Sequence, residues 1–224
     1  MFIGHYALAF GTKRFAPTVS LGMLFLACQF ADLLWPTLLL LGLERVEIEP
    51  GNTAFTPLNF ISYPYSHSLV MLLAWSAIVA LAYRVVRGGP ARAALVVAAL
   101  VVSHFVLDFI SHRPDMPITT SGATKVGLGL WNAPIATLVV ESLMLIAGVL
   151  IYAMTRTSQG HKVATGLWVL VGVLVAIYFA NAFGPPPPSV MTIAVGGHAL
   201  WLFVAWAYWV DRVNTSQEIR RPGE

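Results

Sequence analysis

Charge is what this sequence most lacks. Asp, Glu, Lys and Arg make up 10% of its 224 residues, against about 25% in an ordinary soluble domain. Hydrophobic residues make up 58%, and the mean hydropathy is +0.76. That balance argues against a soluble enzyme. It also argues against nucleic acid as a partner, because the basic residues behind the net charge of +3 are scattered among loops rather than gathered into a stripe. Cysteine is nearly absent. The single Cys28 lies in an apolar run, so it forms no intrachain disulfide and does not report a redox compartment. No basic segment precedes the apolar start MFIGHYALAF, and the first residues are therefore expected to stay rather than to be removed as a signal peptide.

Long apolar runs fill the space that charge leaves. A spanning helix needs about 20 predominantly apolar residues, and six segments approach that length: 20–43, 66–86, 91–112, 131–154, 163–183 and 190–210. The fold expected is all-α, a polytopic membrane helical bundle of about six transmembrane helices forming a single transmembrane domain over residues 1–224. Segment 2–11 is too short to cross and is expected as an N-terminal half-helix. Alternate sides of the six spans carry unequal basic charge. Lys13, Arg14, Arg84, Arg87, Arg92, Arg156, Lys162, Arg212, Arg220 and Arg221 fall on one side, and Arg45, Arg113 and Lys125 on the other. By the positive-inside rule both termini are cytoplasmic, and loops 44–65, 113–130 and 184–189 face outward. Aromatic residues near span ends, among them Tyr63, Tyr65, Trp131, Tyr208 and Trp209, suit interfacial anchoring, and the PPPP run at 185–188 suits a stiff connector.

Against this background the acidic residues inside spans stand out. Asp32, Asp108 and Glu141 would together cost on the order of 8–10 kcal/mol if left charged and unpaired in the bilayer, and no Lys or Arg lies mid-span to meet them. A metal cation, or protons shared with histidines, is the remaining kind of partner. In SHFVLDFISHRPD, His104, Asp108 and His112 share one helix face at i, i+4 and i+8. His104 and His112 would be roughly 12 Å apart along an unbroken helix, too far to share one ion. Pro114 favours a break just after His112. His67, opening the second span in YPYSHSL, should lie level with His112, while Asp32 lies deeper in span one and His5 can reach it from the half-helix. Glu141 is open to three roles: ligand, general base, or acid bonded to a neighbouring helix. Arg113 beside Asp115 is either a surface ion pair or the guanidinium that would hold an anionic head group. His161 and His198 have no visible partner and are taken as structural.

The ordered set Gly4-His5, Asp32, Ser66-His67-Ser68 and His104-x-x-x-Asp108 resembles the YdjM-like group of bacterial and archaeal membrane-bound, metal-dependent hydrolases. The resemblance covers roughly residues 1–112. It implies that His5, Asp32, His67, His104 and Asp108 are metal ligands, and it implies a bacterial or archaeal cytoplasmic membrane. Gly4 and Ser66 stand where the group has Thr, and its Asp-x-Asp-His cluster is reduced here to ADLLW. A second metal would need His112, Asp115 or Glu141 to replace the lost ligands.

The function expected is hydrolysis of a lipid or lipid-linked ester or phosphoester by a metal-activated water. Imidazole and carboxylate ligands make zinc the leading divalent metal. Glu141 or Asp115 would accept the proton, and Arg113 would hold the head group. An ion- or proton-coupled transporter using the same buried groups is the alternative. A third class is an assembly protein whose polar groups bond helices together, in which Asp32→Asn and Asp108→Asn would both be tolerated.

Overall fold

The computed structural model describes residues 1–155 and 161–219; Arg156, Arg220 and Arg221, counted above towards the inner side, lie outside them. Ten α-helices are described: α1 (Ile3–Thr12), α2 (Leu21–Cys28), α3 (Phe30–Leu40), α4 (Pro64–His67), α5 (Leu69–Arg87), α6 (Ala91–Ser111), α7 (Pro134–Met154), α8 (His161–Phe183), α9 (Val190–Gly197) and α10 (Leu200–Ile219). Five helical segments are long and apolar enough to cross a membrane, and six if the bent pair α2–α3 is one span. The chain is a multi-pass helical membrane protein, as its apolar runs imply. Side chains such as Leu81, Val85, Ile135, Leu143 and Leu202 stay exposed on the spans, which is the surface a helix presents to lipid rather than to water.

Local signals set the helix ends. Ser68 caps α5 by accepting the Met71 N–H at 3.2 Å, and Gly88, with φ 61°, closes it in the left-handed conformation. Pro90 and Pro134 stand at the starts of α6 and α7, where the missing N–H has no helical partner to disappoint. Helix α6 ends at Ser111, and His112 is already extended (φ −68°, ψ 149°), the break that Pro114 foretells.

One expectation is corrected. Segment 20–43 was expected as a continuous span, but it bends by 54° at Gln29, between α2 and α3. Segment 190–210 holds as one candidate span, Val190–Asp211, with a two-residue interruption at His198 and Ala199 between α9 and α10. The broken elements lie together: Gly197 is so close to Pro36 that a Cβ there would come within 2.6 Å of the proline ring. His198 Nε2 lies 3.1 Å from Thr37 Oγ1, while its Nδ1 donates to the Ala194 carbonyl at 2.8 Å. His198 is thus structural, holding the two breaks side by side. Non-helical backbone at this depth is tolerated where it lines a cavity, and Pro36, Gly196 and Gly197 line one here.

The loops 44–65 and 113–130 carry small antiparallel hairpins that the apolar pattern did not reveal. β1 (Arg45–Ile48) pairs with β2 (Leu58–Ser62), with Val46 opposite Phe60, and β3 (Met116–Pro117) pairs with β4 (Lys125–Val126). They roof one end of the bundle.

The half-helix α1 is not interfacial but buried: Tyr6, Ala9 and Phe10 are fully enclosed. It lies along α7, where Gly148 lets the backbones meet; a Cβ at Gly148 would come within 2.3 Å of the Ala7 carbonyl oxygen. Gly148→Ile is expected to cost about 1–3 kcal/mol by overpacking, seen as a lowered Tm of the detergent-purified protein. An unchanged Tm would refute this packing of α1.

Candidate metal centre

Four ligand atoms converge from three elements. His67 Nε2, from α4, lies 3.4 Å from Asp32 Oδ1 on α3 and 3.9 Å from Asp108 Oδ2 on α6. His104 Nε2, one turn before Asp108 on α6, lies 3.7 Å from Asp32 Oδ1 and 3.1 Å from Asp108 Oδ2. Ligand atoms set tetrahedrally around an ion at about 2.0–2.2 Å sit about 3.3–3.6 Å apart, so these four edges bracket that spacing. His67, His104 and Asp108 are buried.

The imidazole tautomers follow from what the other ring nitrogen touches. His104 Nδ1 lies 2.8 Å from the Cys28 carbonyl, which can only accept, so Nδ1 carries the proton and Nε2 presents a lone pair. That Nε2 has no hydrogen-bond partner although it lies close to two carboxylates. A lone pair aimed at carboxylate oxygens is repulsive unless a cation or proton stands between them. The Cys28 carbonyl is available because the helix is interrupted at Gln29. His67 is fixed through a relay. Glu44, buried just beyond α3, accepts from the Tyr65 N–H (2.8 Å), the Ser66 N–H (2.9 Å) and the Ser66 hydroxyl (2.6 Å). Since the hydroxyl donates to Glu44, Ser66 Oγ accepts from His67 Nδ1 at 2.6 Å, and His67 Nε2 is left as a second lone pair.

His5 approaches from α1. Its ring stacks on His104 with centroids 3.9 Å apart, and its Nε2 meets Asp108 Oδ1, the carboxylate oxygen not facing His67, at 3.1 Å. Two three-residue groups therefore have metal-ligating proximity: His5, His104 and Asp108, and Asp32, His67 and His104. They share the single His104 Nε2 lone pair, so they describe one centre rather than two. The α-amino group of Met1 contacts Asp108 and lies 2.9 Å from Ser111 Oγ. Glu141, fully buried on α7, holds this end of the chain: its Oε2 accepts from the Phe2 N–H (2.9 Å) and the Gly4 N–H (3.1 Å). Of the three roles open to it, bonding to a neighbouring element is the one the contacts display. Its Oε1 has no partner, and the residue lines the cavity.

His112, expected among the metal-site residues, belongs to neither group. It sits beyond the end of α6 with Nδ1 at 3.0 Å from Asp115 Oδ1 and Nε2 at 3.9 Å from Asp108 Oδ2. Tyr63 donates to the same Asp115 oxygen at 2.8 Å. Burial, and then the adjacent Asp115 carboxylate, push the Tyr63 phenol well above its ordinary value, so it remains a donor. Trp131 and Phe60 pack on the His112 ring at centroid distances of 4.2 and 4.8 Å. Tyr63 and Trp131 thus serve the site, where the sequence suggested only interfacial anchoring. Asp115 is engaged as the orienting partner of His112. Arg113 gives its Nη2 to Asn59 (2.6 Å) and its Nε to Asp115 (3.3 Å) and does not line the cavity.

Asp32, His67, Asp108, His112 and Glu141 line one end of a cavity of about 740 Å³ that runs past Trp35, Phe60, Trp131 and Phe203 to the ends of α8 and α9. Sequence reasoning missed Glu44 altogether. The one signal for it was an acidic residue directly after an apolar run, which reads as an ordinary loop charge. No family model, curated protein or solved structure matches the chain.

Ser66→Ala breaks the relay from Glu44 to His67. It is expected to weaken divalent-metal binding about 10–100-fold, measured by chelator competition on protein that still elutes as wild type. Unchanged affinity would show that His67 is oriented by something else.

Proposed function

We propose that the chain is a membrane-embedded, metal-dependent hydrolase acting on a lipid or lipid-linked ester or phosphoester. The observation that carries this reading is the pair of imidazole lone pairs, His67 Nε2 and His104 Nε2, held by neutral acceptors and aimed at Asp32 and Asp108. Three of these four residues would hold the ion and leave a position for water, and zinc accepts such a mixture of imidazole nitrogens and carboxylate oxygens. The bound ion would supply a water acidified towards neutral pH and a Lewis acid for the carbonyl or phosphoryl oxygen.

The chain's own groups do the rest. His5 bonds the far oxygen of Asp108 and fixes how that carboxylate turns. His112 Nε2 faces the site with its other nitrogen anchored to Asp115, the arrangement that lets an imidazole take and return a proton. The apolar walls formed by Trp35, Phe60 and Phe203 exclude bulk water from the reacting end. The unequal Lys and Arg distribution supports both termini on the cytoplasmic side, so that the hairpin-roofed site lies at the outer end, and the family resemblance supports a bacterial or archaeal cytoplasmic membrane.

A second reading, an ion- or proton-coupled transporter, draws on the broken span α2–α3, since discontinuous helices serve ion sites in many transporters. Metal content and turnover separate the two. Purified wild-type protein is expected to retain about one equivalent of zinc or another transition metal, and His104→Ala to lose it along with hydrolysis of long-chain ester substrates. Metal-free wild type, or a His104→Ala protein with unchanged metal, would remove the hydrolase reading. pH-dependent flux in liposomes without hydrolysis would put the transporter in its place.

A further inference from the structure

The cavity selects its occupant by what its walls lack. Among the described residues, no Lys or Arg lines it. The basic side chains at the outer end are committed elsewhere: Arg113 to Asn59 and Asp115, Arg45 to Glu47 at 3.6 Å, and Lys125 to the Ile61 carbonyl at 3.3 Å. Three carboxylates, Asp32, Asp108 and Glu141, face the interior, and the Met1 ammonium is already engaged by Asp108. An anionic head group would arrive with no basic partner left to receive it, in surroundings where an uncompensated charge is costly.

The remainder of the cavity is apolar and long-walled. From the polar end it passes Trp35, Phe60 and Phe203 and then Ile177 and Ile193. At its far end it is bounded by Ala180, Asn181 and Gly184 of the α8 end, by the Pro185–Pro188 connector, and by Thr192 and Gly196 of α9. Asn181, Gly184, Thr192 and Gly196 are exposed. Small residues at the ends of two spans leave exposed backbone here, beside the loop of residues 50–58 that also borders the cavity. A volume of about 740 Å³ falls within the roughly 300–1,000 Å³ of sites that enclose a small-molecule ligand.

We propose that this cavity seats the acyl chain of an uncharged lipid ester, of the diacylglycerol class, entering between α8 and α9. Its ester group stops at the His67–His104–Asp32–Asp108 end. Placing a reacting ester there rests on the hydrolase reading above; the seating of a neutral acyl lipid in the cavity does not. Head-group discrimination comes from missing counter-charge, and Arg113 takes no part in it.

Gly196 provides a clean test, because a Cβ added there meets no heavy atom within 4 Å. Gly196→Leu can therefore fold normally and fill the entrance, and Ala180→Leu on the facing span is a second variant should the first fail to purify. Full-length protein in phosphatidylcholine nanodiscs is exposed to diacylglycerol or phosphatidic acid carrying a diazirine at the acyl terminus, irradiated, and mapped by peptide mass spectrometry. Diacylglycerol is expected to label peptides containing Ile177, Ile193 and Phe203 roughly ten-fold or more above phosphatidic acid, the scale of one uncompensated charge. Gly196→Leu or Ala180→Leu should reduce that labelling several-fold with metal content unchanged. Equal or stronger labelling by phosphatidic acid, or labelling indifferent to both variants, overturns the proposal. Intact, head-group-selective labelling of a protein that holds no metal supports it while removing the hydrolase reading.

Discussion

Two carboxylates among apolar helices, Asp108 buried and Asp32 half-buried, with no Lys or Arg side chain to meet them, constrain everything around them. Asp32 and Asp108 come from different spans yet face the same two imidazole nitrogens at 3.1 to 3.9 Å. Burial of such groups is tolerable when every neighbouring donor and lone pair is assigned. The surrounding structure makes those assignments: the Cys28 carbonyl takes one imidazole proton, the Glu44–Ser66 relay takes the other, and His5 covers the far oxygen of Asp108. The docking of α1 against α7, the Gln29 break and the capping of α4 by Glu44 are separate features of the chain with a shared result. Each brings a polar group to the one place where the bundle cannot do without it.

Much of this was legible in the sequence because its signals are local or obey simple topology. Spans announce themselves as apolar runs, and Asp108 and His104 share a helix face by the i, i+4 rule. His67 and His112 meet because successive spans return to the same end of the bundle. The bend at Gln29 was not legible, since glutamine does not force a kink; a tertiary partner accompanies it, the Cys28 carbonyl being held by His104. The hairpins were hidden for another reason. Strands of four and five residues in a polar loop carry too little alternation to be read, and their pairing partners lie a loop apart. Glu44 was invisible because its importance depends wholly on where α4 begins. Tyr63 and Trp131 misled in the opposite direction, since residues suited to the membrane interface turned inward against His112 and Asp115.

The hairpin-bearing end of the bundle works as a platform rather than a set of connectors. β2 supplies Phe60 and Asn59, the turn after α6 supplies His112, Arg113 and Asp115, and the chain entering α4 supplies Tyr63. Arg113 is absorbed into this platform, tied on both sides. Its guanidinium braces the roof over the centre.

The bend at Gln29 has one further implication. In a straight helix the Cys28 carbonyl would be claimed by the backbone N–H four residues on, that of Asp32. Only the broken rod leaves it free to receive the His104 Nδ1 proton. Backbone shape in one span thereby dictates where a single hydrogen sits on a ring in another.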